Sequence, residues 1–244
     1  NTAALAYDAN GRGEAPEAVT MKTSAATNAA AAITGVPGYT FNVWNTTADG
    51  TGTAYAAGEQ VKAANVDPVA TTLYAQWTTN TYTVTLNNGG GSGDGSVTAT
   101  YDAVLPNVTV PTWEKHVFEG YYTGENGEGD RYIGKDGKGE KVWDKTSDTT
   151  LYAFWKDSAK IKSMDLLLGG DIGMRYHVTV NDTALQESGK ATVSIGSKKP
   201  SSKTITYKDA EEDTTGARLF PFNVSSVQMA EPVTVEFKDK DGKV

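Results

Sequence analysis

The sequence predicts a mainly β protein, built from two related modules in tandem and a third module of different sequence. Three observations support this: a segment that recurs after 78 residues, apolar side chains that alternate with polar ones, and glycine-containing turn sequences between those stretches. Alternation with a period of two places the apolar side chains on one face of a strand. We therefore expect small folded modules in series, each with its own core.

A hexapeptide marks the repeat most clearly. Residues 72–77 read Thr-Leu-Tyr-Ala-Gln-Trp, and residues 150–155 read Thr-Leu-Tyr-Ala-Phe-Trp. Three further segments match at nearly the same offset: 5–11 with 84–89, 39–44 with 116–121, and 49–55 with 126–132. The repeat predicts three domains, at residues 1–78, 79–157 and 158–244.

Within each module the local patterns are those of strands and tight turns. Tyr82, Val84 and Leu86 alternate with threonines, and the Asn-Gly and Asp-Gly pairs supply the positive φ that a hairpin turn needs. The alanine-rich residues 24–33 favour a helix by composition, whereas their counterpart, residues 102–110, contains a proline and three valines. We expect the shared fold to override helix propensity there.

The third module follows a short charged segment, residues 156–160, which we interpret as a linker. Its turn-like clusters lie at residues 181–182, 196–202 and 209–216. Between them, period-two apolar stripes predict five strands, at residues 172–180, 191–195, 205–207, 220–224 and 233–237. Half-buried strands at this spacing indicate an antiparallel β-sandwich of immunoglobulin-like build.

The repeated unit resembles the Listeria-Bacteroides repeat, the B-repeat of internalin-type bacterial surface proteins. The resemblance rests on residues 38–44 and 73–77 in the first copy and on residues 118–123 and 151–155 in the second. Val43 replaces the family's usual glycine, and Tyr121 replaces its usual tryptophan. The resemblance implies a β-grasp-like module, an extracellular setting on a bacterium, and a part in adhesion or in a stalk. It carries no shared active-site residues.

The third module is similar in its opening, residues 166–173, to strand-rich domains found late in large surface proteins of Gram-positive gut bacteria. This similarity assigns no function to the module.

Composition excludes several classes of function. The 244 residues include 30 acidic and 22 basic side chains, and the resulting net charge of −8 argues against binding to nucleic acid or anionic membranes, because both need a basic face. Cysteine is absent and histidine occurs twice, so disulfides and thiolate sites are excluded. No apolar run approaches the roughly 20 residues of a membrane helix. Because the chain begins at Asn1, we expect a processed form or a piece of a longer protein.

Motifs for catalysis or for a resident cofactor are weak. The glycine-rich residues 89–95 lack both nucleotide-binding spacings, so we expect a mobile hairpin loop there. No Gly-x-Ser-x-Gly elbow occurs, and we predict that the chain is not an enzyme. Calcium is the one metal considered, because Asp239-x-Asp241-Gly242 begins like a calcium loop. An intramolecular isopeptide bond between Lys190 and Asn223 is a further hypothesis.

The aromatic residues divide into two groups when the two copies are compared. Trp44, Trp77, Trp155 and Tyr121 occupy matched positions, which indicates a role in the core. Three others have non-aromatic counterparts in the first copy and are the candidate ligand contacts: Trp113, Trp143 and Tyr122. Flat aromatic side chains of this kind stack on sugar rings or partner proteins. The alternative is that they pack against a neighbouring domain.

These observations predict a non-catalytic, monomeric, extracellular fragment of a bacterial cell-surface protein. It would act as an adhesin or stalk that presents or contributes to the binding of a host-surface protein or glycan. The alternative is an accessory carbohydrate-binding region of a secreted carbohydrate-active enzyme. A third hypothesis is a module that self-associates between cells.

Overall fold

The computed structural model describes residues 2–22, 25–62, 70–169, 172–195, 201–223 and 233–242. It confirms the mainly β class: nineteen strands occur in the described residues, with one short α-helix. The strands are β1 Thr2–Asp8, β2 Val19–Lys22, β3 Ala26–Asn28, β4 Tyr39–Asn45, β5 Ala54–Tyr55, β6 Gln60–Lys62, β7 Ala70–Thr79, β8 Thr81–Asn87, β9 Ser96–Thr100, β10 His116–Tyr122, β11 Arg131–Gly134, β12 Thr149–Asp157, β13 Ala159–Leu167, β14 Gly173–Val180, β15 Lys190–Ile195, β16 Ser201–Thr206, β17 Glu211–Glu212, β18 Arg218–Asn223 and β19 Val233–Lys238. Helix α1 spans Thr183–Ser188, and 3-10 turns span Glu125–Gly127 and Tyr207–Asp209.

The first repeat forms a five-stranded mixed sheet in the order β2-β1-β7-β4-β5. Strands β1 and β7 are parallel, while the β1–β2, β4–β7 and β4–β5 pairs are antiparallel. Its core contains the inward residues of these strands, including the fully buried Leu5, Trp44 and Leu73. A separate two-stranded sheet joins β3 to β6. Leu73 and Ala75 of β7, two positions apart, are both fully buried, which agrees with period-two alternation in the closing motif.

The second repeat has the same strand order, β9-β8-β12-β10-β11. A register shift lies at the matched point of both copies, between Phe41 and Val43 and between Phe118 and Gly120. At Gly120, φ is 137° and an added Cβ would lie 2.6 Å from the carbonyl oxygen of Ile133. A side chain at position 120 would clash with the neighbouring strand, so the second copy requires glycine at this β-bulge.

By compactness the chain divides into two units. One comprises Asn1–Thr85, Ser96–Pro106 and Gly139–Thr150, and the other comprises Leu86–Gly95, Asn107–Lys138 and Leu151–Val244. The domain boundaries taken from the sequence repeat stay predictions.

Two local expectations about the repeats are settled by the backbone. In the alanine-rich stretch, the described residues 25–33 form strand β3 and irregular coil, with no helix. The turn pairs do carry positive φ: Asn10 has 54°, Gly11 has 81° and Gly50 has 76°. The shared fold thus overrides helix propensity, as the comparison of the two copies predicts.

The linker predicted at residues 156–160 is wrong. Strand β12 runs to Asp157 and β13 begins at Ala159, so only Ser158 separates them. Ser158 is buried, and its amide donates to the carbonyl oxygen of Lys115 at 2.8 Å. The lysines that suggested a flexible linker are exposed strand residues, because charged side chains can occupy the solvent face of a strand.

The third segment consists of two antiparallel sheets, β13-β14-β18-β17 and β16-β15-β19. Tyr176 and Phe220 from the first sheet and Val193 and Phe237 from the second belong to one buried cluster, so the two sheets enclose a common core. All five predicted stripes contain a strand. The turn predicted at residues 196–202 is wrong at residues 201–202, which belong to β16. The rest of that turn, residues 196–200, and the predicted strand residue Val224 lie outside the described residues.

Sequence patterning missed strand β13 and helix α1 in this segment, and it also missed the two-residue strand β17, which lies within the turn predicted at residues 209–216 and pairs with β18. The helix begins where a turn was predicted, because the Asp182 carboxylate caps it by accepting from the amides of Ala184 and Leu185 at 2.8 and 3.2 Å. Leu185 is its buried contact with the core.

Candidate ligand-binding groove

The closing tryptophan of each repeat fixes the turn after the first strand. Trp77 donates its indole N–H to the carbonyl oxygen of Ala9 at 2.9 Å, and Trp155 donates to that of Asn88 at 3.0 Å. Each acceptor directly follows the first strand of its module, Ala9 after β1 and Asn88 after β8. Each closing motif therefore anchors its own module, and in the second copy it also supplies one wall of a groove.

Tyr121 replaces the family's tryptophan without loss of the core position. Its side chain is fully buried, and its hydroxyl donates to the Oδ1 atom of Asn88. Burial, with a smaller contribution from the negative charge of Asp94, raises the pKa of Tyr121 to about 12. The phenol therefore stays neutral and acts as a structural hydrogen-bond donor.

Trp113 lies at the surface of the second repeat, 37% exposed. Its ring stacks on His116 with centroids 3.8 Å apart and an interplanar angle of 11°, and it meets Trp155 edge-on at 5.7 Å. A Cβ added at Gly90 would lie 2.8 Å from the Trp113 ring. The absence of a side chain at Gly90 thus lets the indole lie close to the backbone while part of it remains accessible.

A groove of about 410 Å³ extends from Trp113 over the second repeat. It combines aromatic faces with amide and carboxylate groups, a combination that can stack on a flat ligand and hydrogen-bond to its hydroxyl groups. Its lining consists of Asn87, Gly89, Trp113, His116, Glu125, Asn126, Tyr152, Ala153, Phe154, Trp155 and Asp157.

The three candidate contacts have different surroundings. Trp113 lines the groove, and Tyr122 meets the groove residue Phe154 edge-on, with centroids 5.9 Å apart. Trp143 is fully buried, so it cannot offer a ring to a ligand. Its backbone amide donates to the carbonyl oxygen of Ala103 at 2.8 Å. Trp143 is therefore a core residue, and packing of these aromatic residues against a neighbouring domain stays a prediction.

The glycine-rich loop at residues 89–95 makes hydrogen bonds to a segment that follows it in the chain, and the mobility expected of it stays a prediction. Ser92 and Thr112 exchange backbone hydrogen bonds of 2.8 Å in both directions. The Asp94 carboxylate accepts from the amide of Thr109 at 2.7 Å. These tertiary contacts, which the local sequence does not encode, fix one side of the groove.

Two other chemical hypotheses concern a calcium site and an isopeptide bond. Within the described ranges, no cluster of three or more His, Asp or Glu side chains is placed to hold a metal. The Asp239 carboxylate accepts from the amide of Asp241 at 2.9 Å, which closes a local turn. Lys190 and Asn223 are both exposed, whereas an isopeptide bond requires a buried pair.

One charged cluster was not identified from the sequence. His177 on β14 contacts Asp213 through Nδ1 and Asp165 through Nε2, both at 2.7 Å. Its hydrogen bonds with Asp213 and Asp165 raise the pKa of His177. The hydrogen bond between His177 and Asp213 in turn lowers the pKa of Asp213. The three residues lie 12 and 36 positions apart in sequence, so only strand pairing brings them together.

Comparison with known proteins identifies the repeats. The model of the Listeria-Bacteroides repeat domain matches residues 4–76 and 82–154. The "Putative Gly-rich membrane protein" of Evansella cellulosilytica is 41% identical over 88 residues, which are 36% of this chain and 10% of that protein. A "Putative membrane protein" of the same organism is 34% identical over 90 residues, 35% of this chain and 12% of the relative.

These alignments span only about a tenth of each relative's length. No solved structure matches the chain significantly. None of the described helices is long and apolar enough to cross a bilayer. The two matched segments cover more than half of the chain, in tandem, as the repeat in the sequence predicts. The chain belongs to the Listeria-Bacteroides repeat domain family.

Proposed function

We propose that the chain is a non-catalytic fragment of an extracellular bacterial surface protein, which acts as an adhesin or stalk and contributes to glycan or host-protein binding. Family membership and two relatives that are named as putative membrane proteins support the surface setting. The absence of cysteine and the net charge of −8 suit small, soluble modules whose stability comes from apolar cores. In this proposal the fragment is monomeric and needs no cofactor.

The finer fold assignments are part of this proposal. The parallel pair β1–β7, flanked by antiparallel strands, supports a β-grasp-like repeat. The two facing antiparallel sheets of the third segment support an immunoglobulin-like sandwich. Such modules in series extend a binding surface away from the cell.

The groove beside Trp113 is the observation that carries the binding function. The Trp113 indole is partly exposed, and the stacked His116 ring fixes its orientation. Amide and carboxylate groups lie in the same groove. A rigid aromatic ring loses little conformational entropy when a sugar stacks on it. The surrounding polar groups would select the ligand by hydrogen bonding.

A second candidate function uses the same groove. An accessory carbohydrate-binding region of a secreted carbohydrate-active enzyme also requires exposed aromatic rings beside polar groups. The two functions differ in the ligand expected, which is a host glycan or host protein for the adhesin and an insoluble or storage polysaccharide for the enzyme accessory.

A glycan array, followed by titration calorimetry of any glycan that binds, tests the groove. Trp113→Val copies Val36, the residue at the matched position of the first repeat, and is expected to weaken binding at least tenfold, about 1.4 kcal/mol. Val19→Ala, which alters an exposed apolar residue of the first repeat, is the control and should leave binding unchanged.

Thermal unfolding of each variant separates lost binding from lost folding. Normal binding by Trp113→Val, or the absence of any glycan or host protein that binds the wild type, would contradict the proposal. Binding to polysaccharides alone would favour the enzyme accessory.

A further inference from the structure

The sandwich of the third segment leaves one apolar face uncovered. On β13, Ile161, Met164 and Leu166 are 46%, 53% and 52% exposed. They pair with Val178, Tyr176 and Met174 of β14, respectively. Directly opposed residues of an antiparallel pair lie on the same face of a sheet. Since their three partners on β14 pack in or against the core of the sandwich, the exposed row on β13 points to the core side as well.

The exposure follows from the unequal width of the two sheets. In the described residues, β13 extends a four-stranded sheet, whereas the facing sheet contains only β16, β15 and β19. Strand β19 pairs with β15 along one edge, and the described part of the chain places no strand along its other edge. Among the described strands, none occupies the position beside β19 on the side where β13 lacks cover.

A cleft of about 410 Å³ lies where these two strands face each other. Ile161 of β13 and Val235 and Phe237 of β19 line it, together with Val178 and Leu185. Its two charged lining residues are lysines, Lys115 and Lys160, although the chain as a whole has a net charge of −8. Lys160 also pairs with the Asp157 carboxylate at 3.7 Å, so Lys115 is the main positive charge that an acidic partner residue would meet.

The two edge strands differ in how they are protected against pairing. Strand β13 has a register shift between Ile161 and Ser163 and exposed lysines at positions 160 and 162. Bulges and lysines of this kind prevent strand addition. Strand β19 pairs with β15 in unbroken register over all six residues. The edge of β19 is therefore the one able to accept a further strand.

We infer that this edge binds an extended segment of a partner polypeptide as an additional β-strand. The segment pairs with the backbone of β19, its apolar side chains at alternate positions cover Ile161, Met164 and Leu166, and acidic residues beside them face Lys115 and Lys160. Strand addition of this type takes its affinity from main-chain hydrogen bonds and its specificity from alternate side chains. A second copy of the chain fits less well, since it brings the same net charge of −8.

Fluorescence anisotropy with the full chain tests this inference. The probe is a labelled nine-residue peptide that alternates isoleucine or valine with threonine or glutamate. Two control peptides are used: one of the same composition with its apolar residues consecutive, and one with alternate backbone amides N-methylated. We expect binding of the alternating peptide, at least tenfold weaker binding of both controls, and slower hydrogen exchange of the β19 amides in the complex.

Ile161→Asp places a charge on the uncovered face and should weaken peptide binding at least tenfold. Val142→Asp, at a residue exposed to nearly the same extent, 45%, is the matched control and should bind normally. Circular dichroism checks that both variants fold.

The inference is overturned if the alternating peptide does not bind at millimolar concentration, if both control peptides bind equally well, or if Ile161→Asp binds normally. Light scattering that shows a dimer, lost in Ile161→Asp, would assign the edge to a second copy and also overturn it. None of these results depends on the groove at Trp113, so the glycan proposal stands or falls separately.

Discussion

The indole hydrogen bond of the closing motif should make a measurable contribution to the stability of the second repeat. Trp155→Phe removes the donor to Asn88 and shortens a ring that contacts Phe118, at 5.4 Å between centroids, and Trp113. A net hydrogen bond contributes about 1 kcal/mol. The reduced aromatic contact adds about 1 kcal/mol. We therefore expect the free energy of unfolding to fall by about 2 kcal/mol.

Urea unfolding followed by far-ultraviolet circular dichroism measures this change without relying on tryptophan fluorescence. Trp77→Phe removes the equivalent bond to Ala9 in the first repeat and should have a similar cost. Tyr152→Phe changes a partly exposed residue of the same motif and should cost less than about 0.5 kcal/mol. If Trp155→Phe unfolds at the same urea concentration as Tyr152→Phe, the structural role assigned to the indole is wrong.

Three further predictions concern the core, a charged cluster and a turn. Tyr121→Phe should lower the unfolding free energy by about 1–2 kcal/mol in calorimetry, because it removes the donor to a partly buried amide; no change would contradict the buried hydrogen bond. The folded-state pKa of His177 is raised above its ordinary 6.5, so its stabilising contribution is complete below pH 6.5 and is lost as the pH rises through the folded value. His177→Gln should therefore flatten the decline in melting temperature across that range, and an unaltered slope would refute the assignment. Asp213 has a lowered pKa, so its contribution is present above its ordinary 3.8 and is lost only in stronger acid. Gly38→Ala should lower the melting temperature and cost at least about 1 kcal/mol, because Gly38 has a φ of 72° and an added Cβ would lie 2.1 Å from the ring of Tyr101; a neutral effect would contradict that close approach.

Local pattern identified the strands with a clear apolar alternation but failed where tertiary contacts decide the outcome. Strand β14 could be identified from the sequence because its apolar residues Met174, Tyr176, Val178 and Val180 alternate with other residues. Strand β13 could not be identified in this way, because exposed lysines and acidic residues are typical of a linker as well as of an edge strand. Helix α1 has only six residues, too few for an amphipathic period to stand out.

The candidate site shows the same division. Comparison of the two copies identified Trp113 and Tyr122 as residues without a role common to both repeats, but it also selected Trp143, which the fold buries. Neither comparison nor periodicity reveals that His116 stacks on Trp113, or that Tyr152 and Phe154 line the same groove. The groove depends on the pairing of β10 with β12, whose paired residues lie about 30–40 positions apart. The stack of His116 on Trp113 joins residues only three positions apart, but its geometry is not encoded by either pattern.

The sequence by itself determined the mainly β class, the tandem repeat and the family, because these depend on period-two alternation, turn chemistry and a recurring motif, all of which are local or directly comparable along the chain. Only the tertiary structure decided which tryptophan is exposed, which acids meet His177, and which face of β13 remains uncovered. Burial and strand pairing depend on residues that are distant in sequence and meet only in the folded chain, so no single stretch of sequence specifies them.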